Sequence, residues 1–229
     1  MTHGAVSIEK DVALATENAV TCIRRWNSLL LLLDHSASIN CIDLDTGAVS
    51  SLFHSSSGVF TSMFVFSEWL ICSTSENIIC VYDIGTKDVF CEFRASVKSR
   101  ITLAYLLNYN VLCITEDNVL YIYDIAGKLI LDPYLLGFPV VGVFLIDDFL
   151  TIVGTSGDIY LFSFRDSSKE SMKIESIQRF SVGDACVRCF AHGSLLYLVL
   201  HSNDGYLLSV FDYHSQSIVA SLSHIASCI

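Results

Sequence analysis

Proline is almost absent from this chain, with 2 in 229 residues. Charge is also scarce: Asp, Glu, Lys and Arg make up 16% of the sequence, while hydrophobic residues make up 52%. A disordered chain would be poor in hydrophobic residues and rich in charge, so the composition excludes extensive disorder. Few strand-breaking prolines and abundant Val, Ile, Leu, Phe and Tyr favour β-strands.

Basic residues are few as well: the chain has 13 Lys and Arg and 24 Asp and Glu, which gives a net charge of −11. A nucleic-acid backbone needs a basic face, so we expect no direct nucleic-acid partner. The sequence also lacks the run of about 20 apolar residues that a membrane-spanning helix needs. Leu29–Leu33 is too short, and residues 135–146 contain Gly137 and Pro139. We expect no membrane span and no secretory leader behind Met1.

The nine cysteines are odd in number, and most lie within apolar runs. This pattern predicts free, buried thiols and a reducing compartment, the cytosol or the nucleus. Only Cys186 and Cys189 form a C-x-x-C pair, and a structural zinc site would need a second pair. Residues three apart in a strand point to opposite faces, so we interpret the pair as two buried strand cysteines.

Catalytic motifs are missing too. No Gly-x-Ser-x-Gly elbow and no His-Glu-x-x-His zinc motif occurs. Gly85-Thr86-Lys87 lacks the earlier glycine and the following helix of a phosphate-binding loop, and we expect a hairpin turn there. The sequence therefore predicts a protein that is not an enzyme, with no catalytic residue, no metal and no cofactor.

What the sequence does contain is a repeat of about 40 residues. One position in each unit marks it: Asp43, Asp83, Asp124, Ser163 and Asp212, separated by 40, 41, 39 and 49 residues. Four short apolar segments separated by turn residues fill each unit, and this period with four strands is the signature of a propeller blade. The long last step holds a polar insertion at 165–175, which we expect to be a surface loop.

We therefore expect an all-β protein, a β-propeller of four-stranded blades with about five blades in residues 20–229. In the second unit, for example, the expected strands are 59–66, 69–73, 78–84 and 89–93. Two architectures stay open, a five-bladed ring and an incomplete seven- or eight-bladed ring. We favour the incomplete ring, because residues 223–229 look like the opening strand of a further blade. Residues 1–19 are expected to be an N-terminal segment, with an outer strand of a neighbouring blade or a closing strand of the last one.

The repeated aspartates carry a family resemblance. Tyr82-Asp83, Tyr123-Asp124 and Phe211-Asp212 stand where WD repeats carry Trp-Asp, so the chain resembles degenerate WD repeats. No Gly-His opens any unit, so the hydrogen-bonded His–Asp–Ser–Trp tetrad of those repeats cannot be assembled. The segment at 43–47, DLDTG, equally resembles the quinoprotein (pyrroloquinoline-quinone-type) propeller repeat.

Each resemblance implies a function. The WD-like one implies a non-catalytic scaffold that mediates protein–protein interaction within a larger protein or complex. The quinoprotein-like alternative implies a propeller domain appended to an enzyme, such as an adenylate-forming enzyme.

Acidic residues recur in the turns between the second and third strands, which share one rim of a propeller. A negative rim would recruit a basic peptide from a protein partner, although turn chemistry alone also places Asp and Glu there. The predicted partner-binding residues of this rim are Glu76, Glu116, Asp117, Asp158 and Asp204, and Asp34 lies in the equivalent turn of the first unit.

The linker between the second and third units carries a basic cluster, Arg94, Lys98 and Arg100. It is a second candidate for partner binding, because guanidinium and ammonium groups seat carboxylates or phosphates. The alternative is a solvated loop.

Overall fold

The computed structural model describes residues 19–34, 36–107, 109–146, 149–166, 172–203 and 205–225. In this part of the chain there are twenty β-strands and no helix, and so no helix that is long and apolar enough to cross a membrane. The strands form five four-stranded antiparallel sheets, which are blades of a β-propeller, as the repeat predicts. The chain divides into two compact units, residues 1–106 and 107–229.

The first unit contains two complete blades, each with its strands paired in chain order. The strands are β1 (Cys22–Trp26), β2 (Leu29–Leu33), β3 (Ser38–Asp43) and β4 (Val49–His54), then β5 (Phe60–Phe66), β6 (Trp69–Thr74), β7 (Ile78–Asp83) and β8 (Val89–Arg94). In the second blade the expected strands agree with the structure to within one residue at each end.

The third, fourth and fifth blades follow with the same order of pairing. Their strands are β9 (Ile101–Leu107), β10 (Asn110–Thr115), β11 (Val119–Asp124) and β12 (Leu129–Leu135); β13 (Val140–Ile146), β14 (Phe149–Gly154), β15 (Asp158–Asp166) and β16 (Met172–Ser181); β17 (Ala185–His192), β18 (Leu195–Ser202), β19 (Gly205–Asp212) and β20 (Ser217–Ile225).

The core of each unit lies between blades. In the first unit, Leu31 and Cys41 of the first blade pack in one cluster with Leu70 and Tyr82 of the second. The Tyr82 ring also stacks on Phe53 at 4.2 Å between centroids. In the second unit, a corresponding cluster joins the fourth and fifth blades, and its buried members are Val153, Ile159, Leu161, Cys186, Leu196, Leu198, Leu200 and Phe211. Blades covered on both faces explain why the inner strands are apolar on both sides.

A bulge recurs in the first strand of several blades. The pairing register shifts by one residue at Thr61 in β5, at Val141 in β13 and at Val187 in β17. The extra residue breaks the alternation of faces, so that residues three apart lie on the same side of the strand. Phe60 and Met63 show this, because both belong to the core cluster of the first unit.

Two sequence expectations are wrong. Residues 223–225 continue β20, since Ser223 pairs with Leu207 and Ile225 with Tyr206, and they do not begin a further blade. The polar insertion is only partly a loop, because Arg165 pairs with Lys173 and the hairpin of β15 and β16 extends into it. The N-terminal segment lies outside the described residues except for residue 19.

Candidate partner-binding surface

The repeated aspartate at the end of the third strand closes the turn that follows it. Asp83 shows the arrangement: its Oδ1 accepts hydrogen bonds from the backbone N–H of Gly85 at 2.9 Å and of Thr86 at 3.0 Å. Asp43, Asp124 and Asp212 accept two turn N–H groups in the same way. The aspartate is therefore a structural residue of these four hairpins, where it closes the turn between the third and fourth strands.

The fourth blade lacks this aspartate and also lacks the tight turn. Ser163 stands in the place of the aspartate, and there the chain does not turn but continues to Asp166 before β16 begins at Met172. A serine side chain is shorter than that of aspartate and bonds neighbouring backbone groups more weakly. The loss of the turn-closing carboxylate and the extension of the hairpin thus coincide.

Glu76, the first predicted rim residue, is paired with a member of the predicted basic cluster. Its Oε2 accepts a hydrogen bond from Nη2 of Arg94 at 3.0 Å, with the two side chains 50% and 65% exposed. The sequence placed these residues in two separate sites, but antiparallel pairing of β7 and β8 places Arg94 opposite Ile78, next to the turn. Such an exposed pair contributes little to stability.

Asn77 fixes the linker that carries the rest of the basic cluster. Its backbone carbonyl accepts the N–H of Ala95 at 2.9 Å, and its side chain donates to the carbonyl of Ser99 at 3.2 Å and accepts the N–H of Ile101 at 3.0 Å. Asn77 has a φ of 58°, which asparagine tolerates better than most residues. These contacts hold the linker, and with it the basic side chains, beside the turn of Glu76.

We name Glu76, Arg94, Lys98 and Arg100 the Glu76 surface. All four side chains are exposed. This surface carries three cationic side chains and one carboxylate, whereas the sequence predicted an acidic turn here. The charge of Glu76 is offset by Arg94, so Glu76 by itself does not present a negative site to a basic peptide.

The equivalent turn of the third blade does present negative charge. Glu116 and Asp117 are both exposed, and Asp117 accepts a hydrogen bond from the Thr115 hydroxyl at 2.5 Å. Asn118 ends the turn with a φ of 59°, and its carbonyl accepts the N–H of Leu136 at 3.0 Å. We name Glu116 and Asp117 the acidic turn. Its backbone is tied to the following linker just as the turn of Glu76 is.

Asp158 departs from the prediction because it is buried, with 4% of its surface exposed. Its Oδ2 accepts hydrogen bonds from Arg179 at 2.8 Å and from the Ser156 hydroxyl at 2.7 Å. The hydrogen bond from Arg179 is the largest influence on the Asp158 carboxyl and holds its pKa below the usual value despite burial. Arg179 also lies over the ring of Tyr160, with Cζ 5.5 Å from the centroid. Asp158 is therefore built into the blade rather than displayed on the rim.

Asp34 of the first blade adds no exposed charge to this rim. Asp34 is 3% exposed and accepts the backbone N–H of Ser36 at 3.0 Å, so it too is a turn residue. Asp204 lies outside the described residues. Of the predicted rim, Glu76, Glu116 and Asp117 are the described carboxylates that are exposed. Partner binding by any of these residues stays a prediction.

Cys186 and Cys189 do not lie on opposite faces of their strand, whereas the sequence predicted that they would. The bulge at Val187 places Cys186 and Cys189 on the same side of β17. Both are free thiols, as are the other described cysteines. No local sequence signal marks the bulge, so alternation alone predicted opposite faces. Elsewhere, burial raises the pKa of Cys72 and of Cys113.

Metal ligands do not converge in the described part of the chain, where no group of three or more His, Cys, Asp or Glu side chains is arranged to hold an ion.

Comparison with known proteins finds likeness in fold but not in sequence. No family model matches this chain, and no curated protein matches it. The β-propeller domain of Cps50 (Swd1) from Myceliophteria thermophila is similar, with a TM-score of 0.57, 12% identity, and 92% of this chain and 89% of that one covered. A chain in the crystal structure of the mitotic checkpoint complex gives a TM-score of 0.61 and 11% identity over 97% and 73%. The computationally designed Ika8 protein gives 0.60 and 12% over 89% and 74%.

Identities of 11 to 12% establish the fold alone. That fold is the β-propeller, the fold of the Swd1 neighbour, and at these identities the neighbours leave the WD-like resemblance a prediction. The quinoprotein-like alternative gains no support from them and stays a prediction.

Proposed function

We propose that this protein is a non-catalytic β-propeller scaffold that binds a protein partner, and that the acidic turn contributes to recognition of a basic segment of that partner. The observation that carries the proposal is a rigid blade that presents two adjacent exposed carboxylates on a turn of fixed backbone. Rigid sheets that hold exposed loops are a common basis of binding. Neighbours described as a Swd1 propeller domain and as part of the mitotic checkpoint complex support an interaction role.

The proposal differs from the sequence prediction in its choice of residues. Glu76 is compensated by Arg94, and Asp158 is buried against Arg179, so neither is expected to attract a basic peptide. The Glu76 surface carries exposed Arg and Lys side chains, a residue type that binds carboxylates. The free thiols support a reducing location, and we propose the cytosol or the nucleus.

A peptide titration tests the acidic turn. Fluorescence anisotropy would measure the binding of labelled Lys/Arg-rich peptides to the wild-type protein and to a Glu116→Gln, Asp117→Asn variant. We expect binding that weakens with salt and is about fivefold weaker in the variant, since each exposed ion pair is worth about 0.5 kcal/mol.

An Asp45→Asn, Asp88→Asn variant is the matched control, because it removes the same charge from exposed residues in the turns between third and fourth strands. An equal loss of affinity in the control would show that net charge alone attracts the peptide. That result, or no binding at low salt, would overturn the role of the acidic turn.

A further inference from the structure

We infer that Cys186 and Cys189 form an oxidisable dithiol, a modification site at which a peroxide converts two thiols into one disulfide within β17. The inference goes beyond the proposed scaffold function and does not depend on it. It rests on the placement of Cys186 and Cys189 on the same side of β17, which a spacing of three residues would not produce in a regular strand. An unbroken strand would send the two side chains to opposite faces.

The bulge at Val187 creates this juxtaposition. Cys186 pairs with Leu200 and Arg188 with Val199, so Val187 is the extra residue between them. Phe60 and Met63 flank the corresponding bulge of β5 and both face the core, which shows that the geometry belongs to the blade. The Cys186 thiol turns back over the bulge and donates a hydrogen bond to the carbonyl of Arg188 at 3.3 Å.

The opposing blade leaves room for the second sulfur. Cys189 packs against the core cluster shared by the fourth and fifth blades. A Cβ placed on Gly142 of β13 would lie only 2.5 Å from the Cys189 sulfur, so the absence of a side chain there accommodates it. Cys189 is partly exposed, whereas Cys186 is 3% exposed, so the solvent-exposed side of the pair is that of Cys189.

The two thiols differ in acidity, and the lower pKa of Cys186 favours it as the first nucleophile. The hydrogen bond from Cys189 lowers the pKa of Cys186, and the same contact with burial raises the pKa of Cys189. The Cys186 thiolate attacks one oxygen of hydrogen peroxide, the O–O bond breaks and hydroxide leaves, which gives a sulfenic acid. The Cys189 sulfur then attacks the sulfenic sulfur, the S–O bond breaks, and the departing hydroxide takes the Cys189 proton as water. Two thiols lose two electrons, and one peroxide becomes two waters.

A tryptic digest reads out the product. Arg188 lies between the two cysteines and no Lys or Arg follows it, so trypsin separates Cys186 from Cys189. The experiment uses the folded full chain with Cys228→Ser, which leaves Cys189 the only thiol in the last peptide. After peroxide treatment and alkylation of the remaining thiols in denaturant, we expect the two peptides to stay linked until dithiothreitol is added.

Cys113 and a Cys189→Ser variant serve as controls for the reaction of the pair. Cys113 is a lone buried thiol whose pKa is raised by burial, and it should react at least about tenfold more slowly, since one pKa unit changes the thiolate fraction about tenfold. In a Cys189→Ser variant, the sulfenic acid on Cys186 should persist and be trapped by dimedone. Separate alkylation of Cys186 and Cys189 after peroxide, or oxidation of Cys113 at the same rate, would overturn the inference. A linked product on a non-reducing gel only at the dimer mass would overturn it as well.

Discussion

Gly157 offers a sharp test of how the turns hold the linkers between blades. It lies in the turn between β14 and β15 with a φ of +77°, and a Cβ there would meet the carbonyl oxygen of Asp184 at 2.1 Å. Gly137 has almost the same φ, +76°, but nothing lies within 4 Å of its added Cβ. The two Gly→Ala variants therefore share the backbone strain and differ only in the clash.

The expected loss in the free energy of unfolding differs between the two variants because their contacts differ. In Gly137→Ala, strain of about 1 kcal/mol is partly offset by the reduced freedom of the unfolded chain, for a net loss of about 0.5 kcal/mol. In Gly157→Ala the linker must also move, which breaks the hydrogen bond from Val182 N–H to the Gly157 carbonyl and that from Cys186 N–H to the Thr155 carbonyl. At about 1 kcal/mol each, these bring the loss to about 2.5 kcal/mol.

Urea unfolding followed by circular dichroism would measure both variants. Both tryptophans, Trp26 and Trp69, lie in the first unit, so tryptophan fluorescence would not report on the second. Equal losses of stability in the two variants would refute the reasoning, because the clash with the linker would then contribute nothing.

Three further outcomes are expected. Asp83→Ala should destabilise the protein by about 1 to 2 kcal/mol in urea unfolding, because two turn N–H groups lose their acceptor, while Asp83→Asn keeps an acceptor oxygen and should lose less. Glu76→Gln should change stability by under about 0.5 kcal/mol, since its pair with Arg94 is exposed. Arg179→Met should lower the urea midpoint at pH 7 more than at pH 3. The depressed pKa of Asp158 means that its ionised form stabilises the fold above the unfolded pKa, and this stabilisation is lost as the pH falls through the folded pKa.

The repeat and its strands were predictable from the sequence because both are local signals. Apolar segments predict where the strands lie, and turn residues such as Gly85 predict where they end. The period of about 40 residues revealed the blades without any knowledge of pairing.

What the sequence did not reveal depends on partners that are distant in the chain. The burial of Asp158 follows from Arg179, 21 residues later on β16. The bulge at Val187 appears only in the register with β18, and residues 223–225 join β20 because β19 begins at Gly205 and offers them partners. Exposed and buried acidic turn residues look alike in sequence, so the sequence did not distinguish the buried Asp158 from the exposed Glu116 and Asp117.

The central claim is that one four-stranded unit recurs five times, and hydrogen exchange followed by mass spectrometry tests it most directly. Five separate segments should be protected, at the second and third strands of each blade, with faster exchange in the exposed outer strands β8 and β20. Exchange at unfolded rates in the inner strands of any one blade, while the others remain protected, would contradict the account.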